Sequence, residues 1–148
     1  MRTITRIILH CSASLEGVNL SGNDIRSMHC NPISMGGRGW RNPGYHYVVR
    51  LDGSIDNILP IQYIANGVKG YNQESIHICY VGGLDRKGKP ANTRTAKQRG
   101  TIAELLTLLH DRFPEAKLYG HNQLAAKACP CFKVKEEFPE FADWSAKK

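Results

Sequence analysis

Two histidines and a cysteine, at the ends of predicted structural elements, have side chains of the types that bind zinc. His10 ends an apolar run, His121 follows a short predicted strand, and Cys129 lies in the segment after it. Zinc accepts imidazole nitrogen and thiolate sulfur in a tetrahedral shell, and three protein ligands leave a fourth position for water. Cys131 is the obvious fourth ligand for a closed structural site, although Cys-Pro-Cys spacing is tight for one ion. Spacing alone leaves both arrangements open, because histidine at a strand end also has structural uses.

Local patterns predict the elements that would carry these side chains. Strands are expected where short runs of β-branched and apolar residues occur, and helices where apolar residues recur three and four positions apart. The expected strands are residues 5–10, 45–50, 55–59, 75–81 and 117–120. The expected helices are residues 21–29 with Ser21 as N-cap, 95–113, and a short helix within 132–142 interrupted by Pro139. Residues 34–44 are glycine-rich and are expected to form a loop.

The order of these elements predicts an α/β fold with a central mixed β-sheet flanked by helices. Asp52-Gly53 indicates a tight turn between the second and third strands. Alternation along residues 75–81 places Ile76 and Ile78 on one face of the sheet and His77 on the other. The apolar positions of the long helix are Ile102, Leu105, Leu106, Leu108 and Leu109. We expect residues 1–148 to form a single domain.

The chain is basic, with a formal net charge of +7. A basic surface attracts polyanions, and both nucleic acids and anionic cell-wall polymers qualify. The basic residues are dispersed and no nucleic-acid recognition motif is visible, so we expect no nucleic-acid partner.

No stretch is apolar enough to cross a membrane, so we expect no membrane partner. The apolar run at residues 7–9 is too short for a signal peptide, which predicts synthesis in the cytoplasm. The 5 cysteines are then expected to be reduced.

Five short motifs follow one another along the chain. They are Ile8-Leu9-His10-Cys11-Ser12-Ala13, Gly44-Tyr45-His46-Tyr47, Asp52-Gly53, Lys69-Gly70-Tyr71-Asn72 with Ser75-Ile76 and Val81-Gly82-Gly83, and Gly120-His121 with Lys127-Ala128-Cys129-Pro130-Cys131-Phe132. In this order they resemble the type-2 N-acetylmuramoyl-L-alanine amidases, the family of the small phage amidase lysozymes and the peptidoglycan recognition proteins. The resemblance extends from about residue 5 to residue 138, and five ordered motifs are more specific than any one of them.

The resemblance implies a zinc-dependent amidase with the fold of the peptidoglycan recognition proteins. His10, His121 and Cys129 match the ligands of one zinc ion, and Tyr45 and Lys127 match residues that take part in catalysis. The implied partner is bacterial peptidoglycan, and the implied reaction is hydrolysis of the amide bond between N-acetylmuramic acid and L-alanine. An enzyme of this kind is expected to be a monomer that acts on the cell wall if it is a phage endolysin, or that remodels the wall of its own bacterium.

Two positions depart from the pattern of the family. Some relatives have a histidine shortly before the Lys-Gly-Tyr-Asn segment, whereas residues 65–69 here contain none. Cys131 stands where the phage lysozymes tend to have a small residue such as serine. The remaining histidines, His29, His77 and His110, are expected to have structural or surface roles, and His46 is expected to face away from Tyr45.

Three other functions remain open from the sequence. A non-catalytic peptidoglycan-binding module would have the same fold, and a nucleic-acid-binding protein would account for the charge. A cysteine hydrolase could use Cys11 or Cys129 with a histidine. Metal analysis and digestion of cell wall with and without a chelator would separate these alternatives from a zinc amidase.

Overall fold

The computed structural model describes residues 2–141, and its strands and helices follow the predicted order. The strands are β1 (Arg6–Cys11), β2 (Ser14–Leu15), β3 (Tyr47–Val49), β4 (Ile55–Asn57), β5 (Ser75–Tyr80), β6 (Gly83–Leu84) and β7 (Lys117–Gly120). The helices are α1 (Gly22–Cys30), α2 (Ala96–Arg112) and α3 (Val134–Glu137), with 3-10 turns at Ile33–Met35 and His121–Gln123. The turn at residues 33–35 covers the first two residues of the stretch 34–44 that is predicted as loop, and the two-residue strands β2 and β6 are not predicted.

Five strands form a mixed sheet in the order β4-β3-β5-β1-β7. Strand β1 pairs in parallel with both β5 and β7, β3 pairs in parallel with β5, and β4 is antiparallel to β3. This arrangement confirms the predicted α/β class with a central mixed sheet. Because the carboxyl ends of parallel strands meet at one edge of a sheet, the residues that follow β1 and β7 lie close together.

The turn between β3 and β4 is built as the Asp-Gly pair predicts. The carboxylate of Asp52 accepts hydrogen bonds from the backbone N–H and the hydroxyl of Ser54, at 2.9 and 2.6 Å. Gly53 has φ +85°, a backbone conformation that side chains with a Cβ rarely adopt. The turn therefore reverses the chain tightly and brings β4 alongside β3.

Polar side chains cap both of the longer helices. The Ser21 hydroxyl accepts a hydrogen bond from the backbone N–H of Asp24, and the Asp24 carboxylate accepts one from the backbone N–H of Ser21. Thr95 and Gln98 form the same reciprocal pair at the start of α2. These capping boxes satisfy N–H groups that have no partner within the helix. The prediction of Ser21 as N-cap is confirmed.

The long helix buries four of the five apolar positions that we assigned to it. Ile102, Leu105, Leu106 and Leu109 are buried, whereas Leu108 is 66% exposed. At about 100° per residue, Leu108 lies roughly 110° from the centre of the stripe formed by the other four. Leu108 is therefore an apolar position of this helix that does not join the core.

Strand β5 separates two apolar clusters, as its alternation predicts. Ile76 and Ile78 pack in the larger cluster with α2, and Cys79 packs in a smaller cluster with Ile25 of α1. His10 is opposite Cys79 in the parallel register of β1 and β5. Therefore His10 lies on the same face of the sheet as His77, two positions before Cys79.

No helix within residues 2–141 is long and apolar enough to span a bilayer.

Candidate metal centre and adjoining cleft

His10 and His121 meet at the carboxyl edge of the sheet. His10 is the fifth residue of β1, and His121 directly follows β7, which pairs with β1 up to Leu9 and Gly120. The Nδ1 atoms of the two imidazoles lie 3.2 Å apart. His10 is 1% exposed and His121 is half-buried. Neighbouring parallel strands thus bring together two side chains that are distant along the chain.

Cys129 reaches the same point from the loop after the His121–Gln123 turn. Its Sγ lies 3.8 Å from the Nδ1 of His10 and accepts a hydrogen bond from the backbone N–H of Cys11 at 3.1 Å. The possible ligand atoms of His10, His121 and Cys129 all lie within 4.8 Å of one another. The structure therefore brings the three predicted ligands into one group that could hold a metal ion.

The chemistry of this donor set fits zinc. Burial, followed by the charges of neighbouring histidines, holds the pKa of His10 well below its ordinary value. Burial and the charge of Lys127 lower the pKa of His121. Both imidazoles are therefore neutral near pH 7, and each has a lone pair for a metal. Two neutral imidazoles and one cysteine sulfur are ligand types that zinc accepts, and three protein ligands are the number found in catalytic zinc sites.

Cys131 lies outside this group. Its Sγ donates to the carbonyl oxygen of Gly83 at 3.3 Å and is 3.9 Å from the Sγ of Cys11. Burial raises the pKa of Cys131 to about 12, so that this thiol is protonated at neutral pH. Cys11 itself is buried in the core. The four-ligand closed site that the sequence left open therefore has no support in this geometry.

Tyr45 and Lys127 lie beside the group. The ring centroids of Tyr45 and His10 are 5.0 Å apart, and the Tyr45 hydroxyl donates to the carbonyl oxygen of Cys11 at 3.4 Å. Burial raises the pKa of Tyr45 well above its ordinary value, so the hydroxyl is a proton donor near neutral pH. Lys127 is exposed, and both residues line the cleft described next.

A cleft of about 780 Å³ leads to the three possible ligands, and His121 and Cys129 form part of its wall. Its charged side chains are all basic, namely Arg38, Arg41, Lys69 and Lys127. Among residues 2–141, none of those lining the cleft is acidic. Trp40 adds an aromatic surface, with the guanidinium of Arg38 5.0 Å from its ring centroid. A basic cleft concentrates anionic ligands.

Two histidines that we expected to have structural or surface roles contact this centre. His77 is fully buried, and its Nδ1 lies 2.8 Å from the Nε2 of His10. His29 lines the cleft and accepts a hydrogen bond from the backbone N–H of Gly44 at 2.9 Å. The alternation of side chains along β5 would have predicted that His77 lies on the same face of the sheet as His10. That prediction would also have needed the pairing of β1 with β5.

The other two histidines lie away from the cleft. His110 is on α2, where its ring contacts that of Phe141 at 5.8 Å between centroids. His46 is buried and does not line the cleft, unlike its neighbour Tyr45. The Nδ1 of His46 accepts a hydrogen bond from the backbone N–H of His77 at 3.0 Å.

Known proteins are similar to this chain in both sequence and fold. The sequence model of the family described as N-acetylmuramoyl-L-alanine amidase matches residues 1–132. The chain is 35% identical over 129 residues to the endolysin of Escherichia phage T7, and the alignment covers 87% of this chain and 82% of that protein.

Solved structures extend the similarity. The Ph2119 endolysin from Thermus scotoductus MAT2119 bacteriophage Ph2119 has a TM-score of 0.77 and 27% identity, with 94% of this chain and 85% of that chain covered. The ectodomain complex of peptidoglycan recognition proteins LCa and LCx, bound to tracheal cytotoxin, has a TM-score of 0.71 and 26% identity, with 95% and 84% covered. The chain therefore belongs to the N-acetylmuramoyl-L-alanine amidase family of peptidoglycan-degrading hydrolases, with the fold that the peptidoglycan recognition proteins share.

Proposed function

We propose that this protein is a zinc-dependent amidase that hydrolyses the bond between the lactyl group of N-acetylmuramic acid and L-alanine. The observation that carries the proposal is the group of His10, His121 and Cys129, whose ligand atoms lie within 4.8 Å of one another beside a cleft. The family and the endolysin relatives support the same reaction. Because three protein ligands leave a tetrahedral ion open, the donor set favours catalysis over a purely structural role.

His10, His121 and Cys129 would hold the ion through the two Nδ1 atoms and the sulfur. When bound, zinc supplies a Lewis acid and brings the pKa of a water molecule towards about 7. The backbone N–H of Cys11, which already donates to the sulfur of Cys129, would keep that sulfur oriented in the loaded enzyme.

Tyr45 would act as a hydrogen-bond donor at the scissile amide. The bond from its hydroxyl to the carbonyl oxygen of Cys11 is 3.4 Å long, which is longer than usual for an O–H donor and therefore weak. That bond can be exchanged for one to the substrate at little cost. Because the ring lies against His10, the hydroxyl would be held close to the reacting carbon and could assist proton transfer to the leaving amine.

Lys127 would stabilise the negative charge that forms on the carbonyl oxygen during hydrolysis. It lines the cleft, and after burial its charge is the second cause that lowers the pKa of His121. An ammonium group in this position would interact more strongly with a developing oxyanion than with a neutral amide carbonyl, so it would lower the barrier more than it tightens binding of the scissile amide.

The basic cleft fits the carboxylate-bearing stem peptide of peptidoglycan as partner. Every residue of the proposed site belongs to one chain, so a monomer would be sufficient for the proposed activity. The main alternative is a peptidoglycan-binding module of the same fold that does not cut its ligand. A module of that kind would bind cell wall, with or without zinc, and release no peptide.

The decisive experiment is mass spectrometry of purified peptidoglycan after digestion, with zinc content measured on the same samples. We expect stem peptides with free L-alanine amino termini from the wild type and none from the Cys129→Ser variant. Cys131→Ser is the matched control, because that thiol lies outside the group of ligands, and it should retain both zinc and activity. Bound zinc without released peptides would favour the binding module, and cleavage at another bond would overturn the assignment.

A further inference from the structure

We propose that His77 is a positioning residue that holds His10 in the tautomer needed for binding zinc. The inference rests on the proposed zinc site and adds a residue behind it. His77 is on β5, is fully buried, and does not line the cleft. It therefore cannot touch the substrate in this structure, and any effect on the reaction has to pass through His10.

The two nitrogens of His10 face different partners. Nδ1 lies 3.2 Å from the Nδ1 of His121 and 3.8 Å from the sulfur of Cys129, whereas Nε2 lies 2.8 Å from the Nδ1 of His77. An imidazole binds a metal through a lone pair, so the proton of a neutral ligand is on its other nitrogen. In the loaded site the Nε2–H of His10 would donate, and the Nδ1 of His77 would accept.

Two contacts with His46 hold His77 in place. Its backbone N–H donates to the Nδ1 of His46 at 3.0 Å, and the two rings stack with centroids 6.0 Å apart. Since Nδ1 of His46 accepts this bond, its Nε2 carries a proton and donates to the carbonyl oxygen of Tyr63 at 2.8 Å. These contacts hold the backbone of His77 and support its ring beside His46.

Gly67 leaves the room that the His77 ring occupies. A Cβ at position 67 would overlap the Nδ1, Cε1 and Cγ atoms of His77. The sequence has no histidine in residues 65–69. In this chain β5 supplies an imidazole beside that segment, and its ring points back to the ligand His10 rather than into the cleft.

The presence of a polar ring at position 77 needs an explanation, because one of its nitrogens has no hydrogen-bond partner among the residues that the structure describes. Its Nε2 is buried and makes no hydrogen bond within residues 2–141. If Nδ1 accepts from His10, this Nε2 carries a proton without a partner, which destabilises the fold. An apolar ring of similar size would fill the same space without that penalty. The polar ring is therefore better explained by its bond to His10 than by packing alone.

The test measures zinc affinity by competition with a chromophoric chelator, for the wild type and two variants. His77→Phe fills the space without an acceptor, and it should bind zinc about 10- to 100-fold more weakly, as loss of a group that orients a metal ligand usually causes. His77→Asn places a carbonyl oxygen near the position of Nδ1 and should keep affinity within about threefold of the wild type.

A second measurement needs no variant. In nitrogen NMR spectra of the zinc-loaded wild type, the side chain of His10 should show a protonated Nε2 and a metal-bound Nδ1. The inference is overturned if His77→Phe binds zinc as the wild type does, if both variants lose affinity equally, or if Nε2 of His10 is the metal-bound atom. A wild type that binds no zinc would instead overturn the proposed function, so the two failures are distinguishable.

Discussion

The Nδ1 atoms of His10 and His121 lie 3.2 Å apart although the residues are 111 positions apart in the chain. The sulfur of Cys129 lies beside these two imidazoles, so the three residues form a group that could hold a metal ion. The proposed zinc ion would be bound by all three. The first prediction concerns that ion and the stability of the fold around it.

Zinc should raise the melting temperature of the wild type. A ligand at about 100 times its Kd adds roughly 2.7 kcal/mol to the free energy of unfolding. For a chain of this size that corresponds to about 5–10 °C. Differential scanning fluorimetry of chelator-treated protein, with zinc added back, would measure the shift. Cys129→Ser should lose most of it and Cys131→Ser should keep it. Equal shifts for both variants would contradict the assignment of Cys129 as a ligand.

Replacing Lys127 with alanine should lower kcat about 10²- to 10³-fold and leave zinc affinity close to that of the wild type. The reason is that an ammonium aimed at a developing oxyanion acts mainly in the transition state. Steady-state digestion of soluble peptidoglycan fragments would provide kcat and KM separately. Lys87→Ala removes an exposed lysine from the loop at Asp85, away from the cleft, and should have no effect. An unchanged kcat in Lys127→Ala would remove this residue from the mechanism.

Arg41→Gln should raise KM several-fold with little change in kcat, because Arg41 lines the basic cleft and is not one of the possible metal ligands. Attraction between exposed charges is screened beyond about 8 Å at physiological salt. The activity of the wild type on cell wall should therefore fall as salt rises, and that of Arg41→Gln should fall less. Arg86→Gln, on an exposed loop outside the cleft, is the control. Equal salt dependence for Arg41→Gln and wild type would exclude a steering role.

The metal-free protein should lose stability as the pH falls below about 6.5. Burial lowers the pKa of His46 to about 4, so the unfolded chain binds a proton more readily than the fold between these values. The contribution of a neutral His46 is therefore complete above pH 6.5. It shrinks by about 2–3 kcal/mol by pH 4.5. Urea unfolding of apoprotein at both pH values would measure it. In His46→Asn the free energy of unfolding should decline less between the two pH values. A decline identical to that of the wild type would show that protonation of His46 is not its cause.

Gly67→Ala should lower both the melting temperature and the affinity for zinc, because the added Cβ overlaps the His77 ring. Thermal unfolding and chelator competition on the same samples would report both effects. Gly100→Ala is the matched control, since its Cβ meets nothing within 4 Å and the residue lies in α2. That substitution should stabilise the protein by about 0.5–1 kcal/mol. A Gly67→Ala variant with unchanged zinc affinity would argue against the role inferred for His77.

The sequence by itself determined the elements and the types of residue available for chemistry. The capping pair at Ser21 and Asp24, the turn at Gly53 and the alternation of β5 all depend on neighbours within four positions, where local sterics and hydrogen bonding dominate. The α/β class with a mixed sheet followed from the order of those elements. Leu108 shows that apolar spacing along a helix does not by itself decide burial, because an apolar residue beside the buried face of a helix can remain exposed.

Only the tertiary structure decided which distant side chains meet. His77 reaches His10 because β1 and β5 are parallel neighbours in one register, and Cys131 turns towards Gly83 rather than into the group of ligands. Pairing between strands so far apart in the chain depends on loop closure and on the packing of two apolar faces. Neither of these leaves a short-range pattern in the sequence.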